Sequence, residues 1–499
     1  MCLHETERKL TYEEEFQSNF KSESNNSKHL LPESNSNYEK VIEGDTCIRF
    51  NGRSISSILK SHGKQLYSKF NSLSNTDKTL CCLCLNGILD LTNGTEAGQK
   101  QLFTEEQWSY MERVFRSKKA KHLVKVSCDT ENVIKKIIKK IKGGDAEKAY
   151  YIALAQIEKA QRSEQRVFKI LSHVINCYLE RSYIFTANES DATEADYIIK
   201  LWGEILELLF SKESQYIKWG DSVSKTTTKT KCVNNNDKPH TIGCKVDGRL
   251  LCIVDKAHID DIDICHFETA RSTKNNKKIR DDKAKLAIET KCLIDNVFLQ
   301  PNFDARGKNR PIQNLQLCGT QGEVCSLALI DFGLYIHRYE YDISMKRSLL
   351  DFSDVLLSWI RTLMSFRKYC HATLDAFTLS VLESPRTIHE ALGRDKPLST
   401  HKYEYSPFWV RGTIFLPTLT NPMPVFPENF LTSPTKLDDI CIPKTKMTSN
   451  FYLNDGSHVS SIYAPTMNSV EKLNIVHNNE KRKHHKQIPV TNKKQKQNK

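Results

Sequence analysis

Long apolar runs are missing from this 499-residue sequence. No stretch of about eighteen apolar residues occurs, so no membrane-spanning helix is expected. The opening residues, MCLHETERKL, lack the apolar centre of a secretory signal. Several chemical signatures are missing too. There is no Walker A lysine motif, no G-x-S-x-G and no HExxH, so P-loop nucleotide hydrolysis and serine or zinc proteolysis have no footing. Asp331-Phe332-Gly333 spells the kinase metal motif. The glycine-rich loop, strand lysine and HRD segment that a kinase needs upstream are absent, and Gly319–Gly322 does not supply them. Asp331–Gly333 is therefore read as a hairpin turn. Cys81, Cys82 and Cys84 hold one CxxC spacing with no second pair nearby, which favours buried thiols over a zinc site.

Acidic residues are in the minority. The net charge is +13, with two basic concentrations: Glu480–Lys499 carries eight Lys/Arg against one acid, and residues 117–142 carry nine Lys against two acids. A basic balance favours a polyanion, chiefly nucleic acid, or simply solvated faces. Sixteen cysteines, many within apolar runs, point to free thiols in a reducing compartment, nucleus or cytoplasm. Lys481, Arg482 and Lys483, then Lys493, Lys494 and Lys496, have the two-cluster form of a nuclear import signal, and such tails also bind nucleic acid nonspecifically.

Along the chain, residues 1–45 are polar and expected to be disordered. Residues 46–190 read as an α-helical region. Within it, Thr104–Arg116 opens on a capping pattern. Residues 131–142 place isoleucines on one face and lysines on the other, ahead of Gly143-Gly144. That helix suits a nucleic-acid or membrane surface, or a packed helix with its lysines in water. Asp191–Phe210 reads as a helix with Ile198, Ile199, Trp202, Ile205, Leu206 and Leu209 buried. Tyr216–Asp221 reads as a short strand ending in a turn, and Ser222–His240 as a flexible polar insertion.

The next stretch, Gly243–Phe298, organises the rest. Arg249–Val254 and Ile262–Phe267 read as strands, the first preceded by Asp247 and the second ending at Glu268. A lysine-rich helix follows, with Ile279, Leu286, Leu293 and Val297 on one face. Residues Gln313–Cys318, Val324–Asp331 and Leu334–Tyr341 read as an antiparallel meander, and Leu349–Phe377 as a long helix. Residues 381–479 are a proline-containing irregular segment with docked aromatics such as Phe408, Trp409 and Phe415. Residues 480–499 form the basic tail.

This order resembles the core of the PD-(D/E)XK, or restriction-endonuclease-like, phosphodiesterase superfamily. The resemblance implies an α+β protein: a mixed sheet flanked by helices in residues 191–380, with a helical N-terminal region and disordered ends. It implies a metal-dependent nuclease, active or degenerate, using Mg²⁺. Asp247 matches the superfamily's metal-binding Asp and Glu268 the Glu of its E-x-K motif. Glu204 is a candidate third ligand from the first helix, with Glu194 and Asp196 competing for the place. Hard oxygen ligands suit Mg²⁺, which keeps waters of its own. The chain departs from the motif at Ala270, where a lysine belongs. Arg271 can offset negative charge but, always protonated, cannot act as a base. Lys278, Lys283 and Lys285 on the following helix are the candidates for replacing the lysine and for contacting nucleic acid.

The sequence also resembles an uncharacterised fungal protein family over roughly residues 190–380. The shared features are Trp202, Trp219–Ser222, Gly243-Lys245-Asp247-Arg249, Glu268-Ala270-Arg271 and Lys278-Asp282-Lys285-Leu286. That resemblance brings no activity with it. The alternative to a nuclease is a noncatalytic nucleic-acid or protein interaction module, with Asp247 and Glu268 as solvated carboxylates at a strand entry and a strand exit.

Overall fold

A computed structural model describes residues 49–92, 98–115, 123–186, 192–210, 215–234, 242–253, 262–272, 276–298, 311–331, 333–382, 412–417, 423–424, 451–452 and 458–459. The expectations for residues 1–45 and 480–499, and for Phe408 and Trp409, fall outside them. The chain divides into two units. One comprises residues 1–45 and 49–52; its described part is a two-residue strand, Arg49–Phe50, followed by a turn with positive φ at Asn51 and Gly52. The other comprises residues 46–48 and 53–499 and holds everything that follows.

Its centre is a seven-stranded mixed sheet. In chain order the strands are β1 (Ile88–Asp90), β2 (Gln215–Val223), β3 (Lys245–Cys252), β4 (Ile262–Ala270), β5 (Ile312–Cys318), β6 (Gln321–Asp331) and β7 (Leu334–Asp342). They lie in the order β1-β7-β6-β5-β4-β3-β2. The pairs β4–β5 and β7–β1 are parallel, and the other four are antiparallel. A parallel step between consecutive strands needs a long crossover. The helix Asn276–Phe298 supplies it and lies against β4, β5 and β6. The meander of β5, β6 and β7 has Gly319 and Gly333 at its turns, both at positive φ, and Asp331 pairs with Leu334 where the sequence suggests a hairpin turn.

Apart from the single turn Tyr183–Thr186, the α-helices described are, in order, α1 (Ile55–Tyr67), α2 (Asn75–Leu85), α3 (Glu105–Phe115), α4 (Cys128–Lys142), α5 (Ala146–Lys159), α6 (Gln165–Glu180), α7 (Glu194–Tyr197), α8 (Gly203–Phe210), α9 (Lys225–Asn234), α10 (Asn276–Phe298) and α11 (Leu349–Leu382). Thr104 and Gln107 exchange the expected capping bonds at the start of α3. In α4, Ile134, Ile137 and Ile141 are buried, Lys136 and Lys139 face water, and the Gly143 cap closes the end. The two faces of the sheet differ. Cys265, Phe267, Leu315 and Leu317 join one apolar cluster with α4, α6, α8 and α11. The face under α10 carries buried Glu268, His266, Asn314 and Gln316 instead.

Five features differ from the sequence-based expectations. Ile88–Asp90, inside the supposed helical region, is an edge strand paired with β7. The helix beginning near 191 is broken by a π turn at Ile198–Trp202 between α7 and α8. The extra residue in a π turn shifts the helix phase, so Ile199 faces water at 74% exposure although the 3.6-residue pattern buries it. Gly203 accommodates the turn, since a Cβ there would meet the Ile198 carbonyl oxygen at 2.5 Å. The turn expected after Trp219 is a bulge within β2, with Gly220 at positive φ. The polar insertion after Ser222 contains α9, whose Thr227, Thr228 and Thr230 hydroxyls donate back to carbonyls three or four residues earlier. Finally, β4 runs on to Ala270, so Glu268 lies within a paired strand, opposite Gln316, and is 2% exposed. It is no solvated strand-exit carboxylate.

Candidate active site

The strands β3 and β4 are bonded up to Gly248 and Phe267. Asp247 and Glu268 each stand one residue further along, at the same end of the sheet. Gly248 is required at that last pair, because a Cβ would meet the Phe267 ring at 2.8 Å. Asp247 Oδ2 accepts from the backbone N–H of Thr269 and from its hydroxyl, both at 2.8 Å. The same hydroxyl lies 2.9 Å from Glu194 Oε1. Thr269 thus ties the strand carboxylate of Asp247 to the first helix of the core. The helix residue that reaches the site is Glu194, at the start of α7.

From the other side, α10 lays Lys278, Asp282, Lys285 and Glu289 along the polar face. Their spacing of four, three and four residues keeps them on one side of a helix. Lys278 Nζ donates to Glu194 Oε2 at 2.6 Å and to the Thr269 carbonyl oxygen at 3.0 Å. Lys285 Nζ lies 2.5 Å from Glu268 Oε1 as an ion pair. That oxygen nonetheless accepts no well-angled hydrogen bond, and Asp282 Oδ2 is likewise buried without one. The cluster therefore holds four carboxyl groups, Glu194, Asp247, Glu268 and Asp282, against two ammonium groups.

The electrostatics follow from burial. Desolvation pushes Glu268 up to about 9, overcoming the pull of Lys285, with Asp247 adding to the rise. Asp282 is pushed up to about 6, again mainly by burial, against Lys278 and Lys285. Burial alone would lower Lys278 and Lys285, but the neighbouring acids, Glu194 and Glu268 respectively, reverse this and hold both above the usual lysine value. Burial and the Lys285 ammonium thus act on Glu268 in opposite directions, and burial is the larger.

The polar strip continues beneath α10. Arg249 donates to Asp263 Oδ1 at 2.9 Å and to Ser222 Oγ at 3.1 Å, and Ser224 donates to Asp263 Oδ2 at 2.7 Å. His266 lies between Asp263 at 3.5 Å and Glu289 at 3.6 Å, wholly buried. Burial is the largest influence on Asp263 and raises it, but His266, Arg249 and Ser224 together bring its carboxyl below the ordinary value. Glu289, also buried, is raised. This network fixes the strand that carries Glu268.

Of the residues singled out in the sequence, Asp247, Glu268, Lys278 and Lys285 converge. Glu204 does not: it lines a separate cleft with Tyr150, Lys169, Ser172, His173 and Asn176. Asp196 caps α7 through Thr193 and pairs with Lys200. Lys283 points away from the cluster, with Nζ 2.9 and 3.0 Å from the two Glu323 oxygens. Ala270 is buried and Arg271, just past the strand, is exposed. Asp282 joins the cluster from outside the candidate set, although the 278, 282, 285 spacing carries the signal.

Among the described residues no three Asp, Glu, His or Cys side chains are gathered around one point as metal ligands. No helix among them is long and apolar enough to cross a membrane. None of the thirteen cysteines described is in a disulfide, and burial pushes Cys81 and Cys84 up to about 12, in keeping with buried thiols. No family model, curated protein or solved structure matches the chain.

Proposed function

We propose that the Glu194–Asp247–Glu268–Asp282 cluster is a Mg²⁺-dependent phosphodiesterase site of restriction-endonuclease-like arrangement, acting on nucleic acid. The observation that carries this reading is Glu268: a buried carboxyl beside Asp247 at the end of the β3–β4 ladder, raised to about 9 although an ammonium lies beside it. A buried acid in that state costs stability unless something takes up its charge. The oxygen donors present suit the group. Magnesium takes one or two carboxylates and fills its other positions with water and substrate phosphate, so a three-ligand cage is not required. Asp247 and Glu268 are the ligands proposed; Glu194, engaged by Thr269 and Lys278, is the first-helix acid beside them that Glu204 is not, and Asp282 is an added acid of the site. When bound, the ion supplies an activated water and charge neutralisation at the phosphate.

The chain's own residues have distinct parts in this reading. Lys285 replaces the strand lysine that Ala270 lacks, reaching Glu268 from α10. Lys278 holds Glu194 and the end of β4 in register, and Thr269 orients Asp247. Arg271, at the exposed strand end, is placed to meet a phosphate rather than to take a proton. Lys283 has no catalytic part. The basic tail, with Lys481–Lys483 and Lys493–Lys496, directs the protein to the nucleus.

Purified protein should cleave DNA or RNA with Mg²⁺ or Mn²⁺ and not with chelator. Asp247→Asn, Glu268→Gln and Lys285→Met should each abolish cleavage, while Lys283→Met should not. Cleavage that survives Glu268→Gln refutes the assignment. A noncatalytic nucleic-acid or protein interaction module is favoured by one observation, that both site lysines are already engaged by acids. Salt-sensitive binding without cleavage under either metal would establish the nucleic-acid form of that reading. Loss of nuclear enrichment on deleting residues 480–499 from a tagged chain tests the localisation.

A further inference from the structure

Residues 412–417 lie against the sheet unit far in sequence from the elements that hold them. Thr413, Ile414 and Phe415 are all buried, Ile414 completely. Asn86, just after α2, handles Ile414 as a neighbouring strand would. Its Nδ2 donates to the Ile414 carbonyl at 2.7 Å and its Oδ1 accepts from the Ile414 N–H at 2.8 Å. The Thr413 hydroxyl meets a buried charged pair on α10: Lys291 Nζ at 2.9 Å and Asp295 Oδ2 at 3.3 Å. The other Asp295 oxygen accepts from Tyr335. Lys231 on α9 lies 5.1 Å over the Phe415 ring.

These contacts divide as those of a linear peptide in a groove do. Asn86 reads backbone and is indifferent to side chain. The Lys291–Asp295 pair asks for a hydroxyl at one position, since a buried ion pair is tolerated only where its remaining hydrogen-bonding capacity is met. Ile414 and Phe415 fill the apolar part. The 29 residues from 383 to 411 could extend up to about 100 Å. That length permits many placements of the segment, and the contacts select this one.

We propose that the groove between α2, α9 and α10 is a receptor for a short extended peptide of the pattern Thr-Ile-Phe. Its occupant is the chain's own Gly412–Pro417, bound as an exchangeable ligand rather than as an inseparable piece of core. The same segment presented as a separate molecule competes for the groove.

The test uses the full chain with a labelled peptide of residues 410–419. In one form a specific protease site within 383–411 is cut. In the other, Ile414→Asp with Phe415→Asp empties the groove, and circular dichroism checks folding. The folded, emptied protein should bind the peptide saturably, and the cut protein should exchange its segment for it. Adding Asn86→Ala to either form should weaken binding at least tenfold. A peptide carrying Thr413→Val should also bind less well. A concentration-dependent dimer of the intact chain that excess peptide dissolves would support the groove with a second copy's segment as occupant. The proposal is overturned if neither the cut chain nor the folded, emptied variant takes up peptide at millimolar concentration. Uptake unaffected by Asn86→Ala overturns it equally.

Discussion

The two faces of one strand, β4, differ as sharply as any two regions of the molecule. Cys265 and Phe267 point into an apolar cluster shared with α8 and α11, whereas His266 and Glu268 point under α10 into buried charge. Period-two alternation places the two sets on opposite sides. Both sets are buried, so burial alone does not distinguish them. Apolar burial stabilises, at roughly 25 cal/mol per Å² removed from water. Buried acids with incomplete hydrogen bonding cost stability and are retained where their charge is used. The difference teaches that α11 and its neighbours hold the sheet together, while α10 arms it.

The largest expected effect comes from breaking the apolar side. Phe267→Ala should lower the unfolding free energy by about 3–5 kcal/mol, by lost transfer energy and the cavity left. Urea denaturation measures it. Glu268→Gln, one residue away, should cost far less and, above pH 8, should stabilise.

That reversal has a sign that can be worked out. Glu268 is raised to about 9 in the folded protein and titrates near the ordinary glutamate value when unfolded. Between those values the folded state holds a proton that the unfolded state has lost. Stability from this group is therefore greatest at low pH and falls as pH rises through about 5 to 9. Unfolding free energies from pH 5 to 9 should decline in the wild type, and less steeply in Glu268→Gln. A wild-type slope no steeper than the variant's would contradict burial as the dominant influence.

Of intermediate size is Thr269→Val, which keeps the shape but removes the hydroxyl between Asp247 and Glu194. It should cost about 1–2 kcal/mol, and the loss should shrink in a background carrying Glu194→Gln. Smallest is Ile199→Ser. Because the π turn rotates this residue into water, the change should stay within about 0.5 kcal/mol, whereas Ile205→Ala, past the turn in α8, should cost about 2–5 kcal/mol. An equal loss at both positions would place the helix in ordinary α phase.

Much of this contrast is legible in the sequence. The 3.6-residue period of α10, the β5–β7 meander and the turns at Gly319 and Gly333 follow from spacing and glycine alone. What escapes is what depends on partners. A polar threonine run reads as loop, yet Thr227 and Thr228 satisfy themselves on backbone and α9 forms. Ile88–Asp90 is too short to announce itself as a strand until β7 lies beside it. The π turn hides because a one-residue insertion leaves composition unchanged. At the site, Asp247 and Glu268 were visible as flanks of apolar strands. Lys285 was visible only as one of three lysines, since nothing in local spacing says which one the sheet will meet. Glu194 was masked by Glu204, which shares its helical run but, beyond the π turn, faces a different cleft.

The central claim is that the polar end of β3 and β4 binds a divalent cation through Asp247 and Glu268. Calorimetric titration of Mn²⁺ into the full chain at pH 6 and pH 8, in buffers of different ionisation enthalpy, tests it directly. Because Glu268 must shed its proton to act as ligand, binding should release protons and tighten as pH rises toward 9, approaching tenfold per pH unit. It should disappear in both Asp247→Asn and Glu268→Gln. Absence of saturable Mn²⁺ binding in the folded wild type, or binding that persists unchanged in Glu268→Gln, would contradict the account.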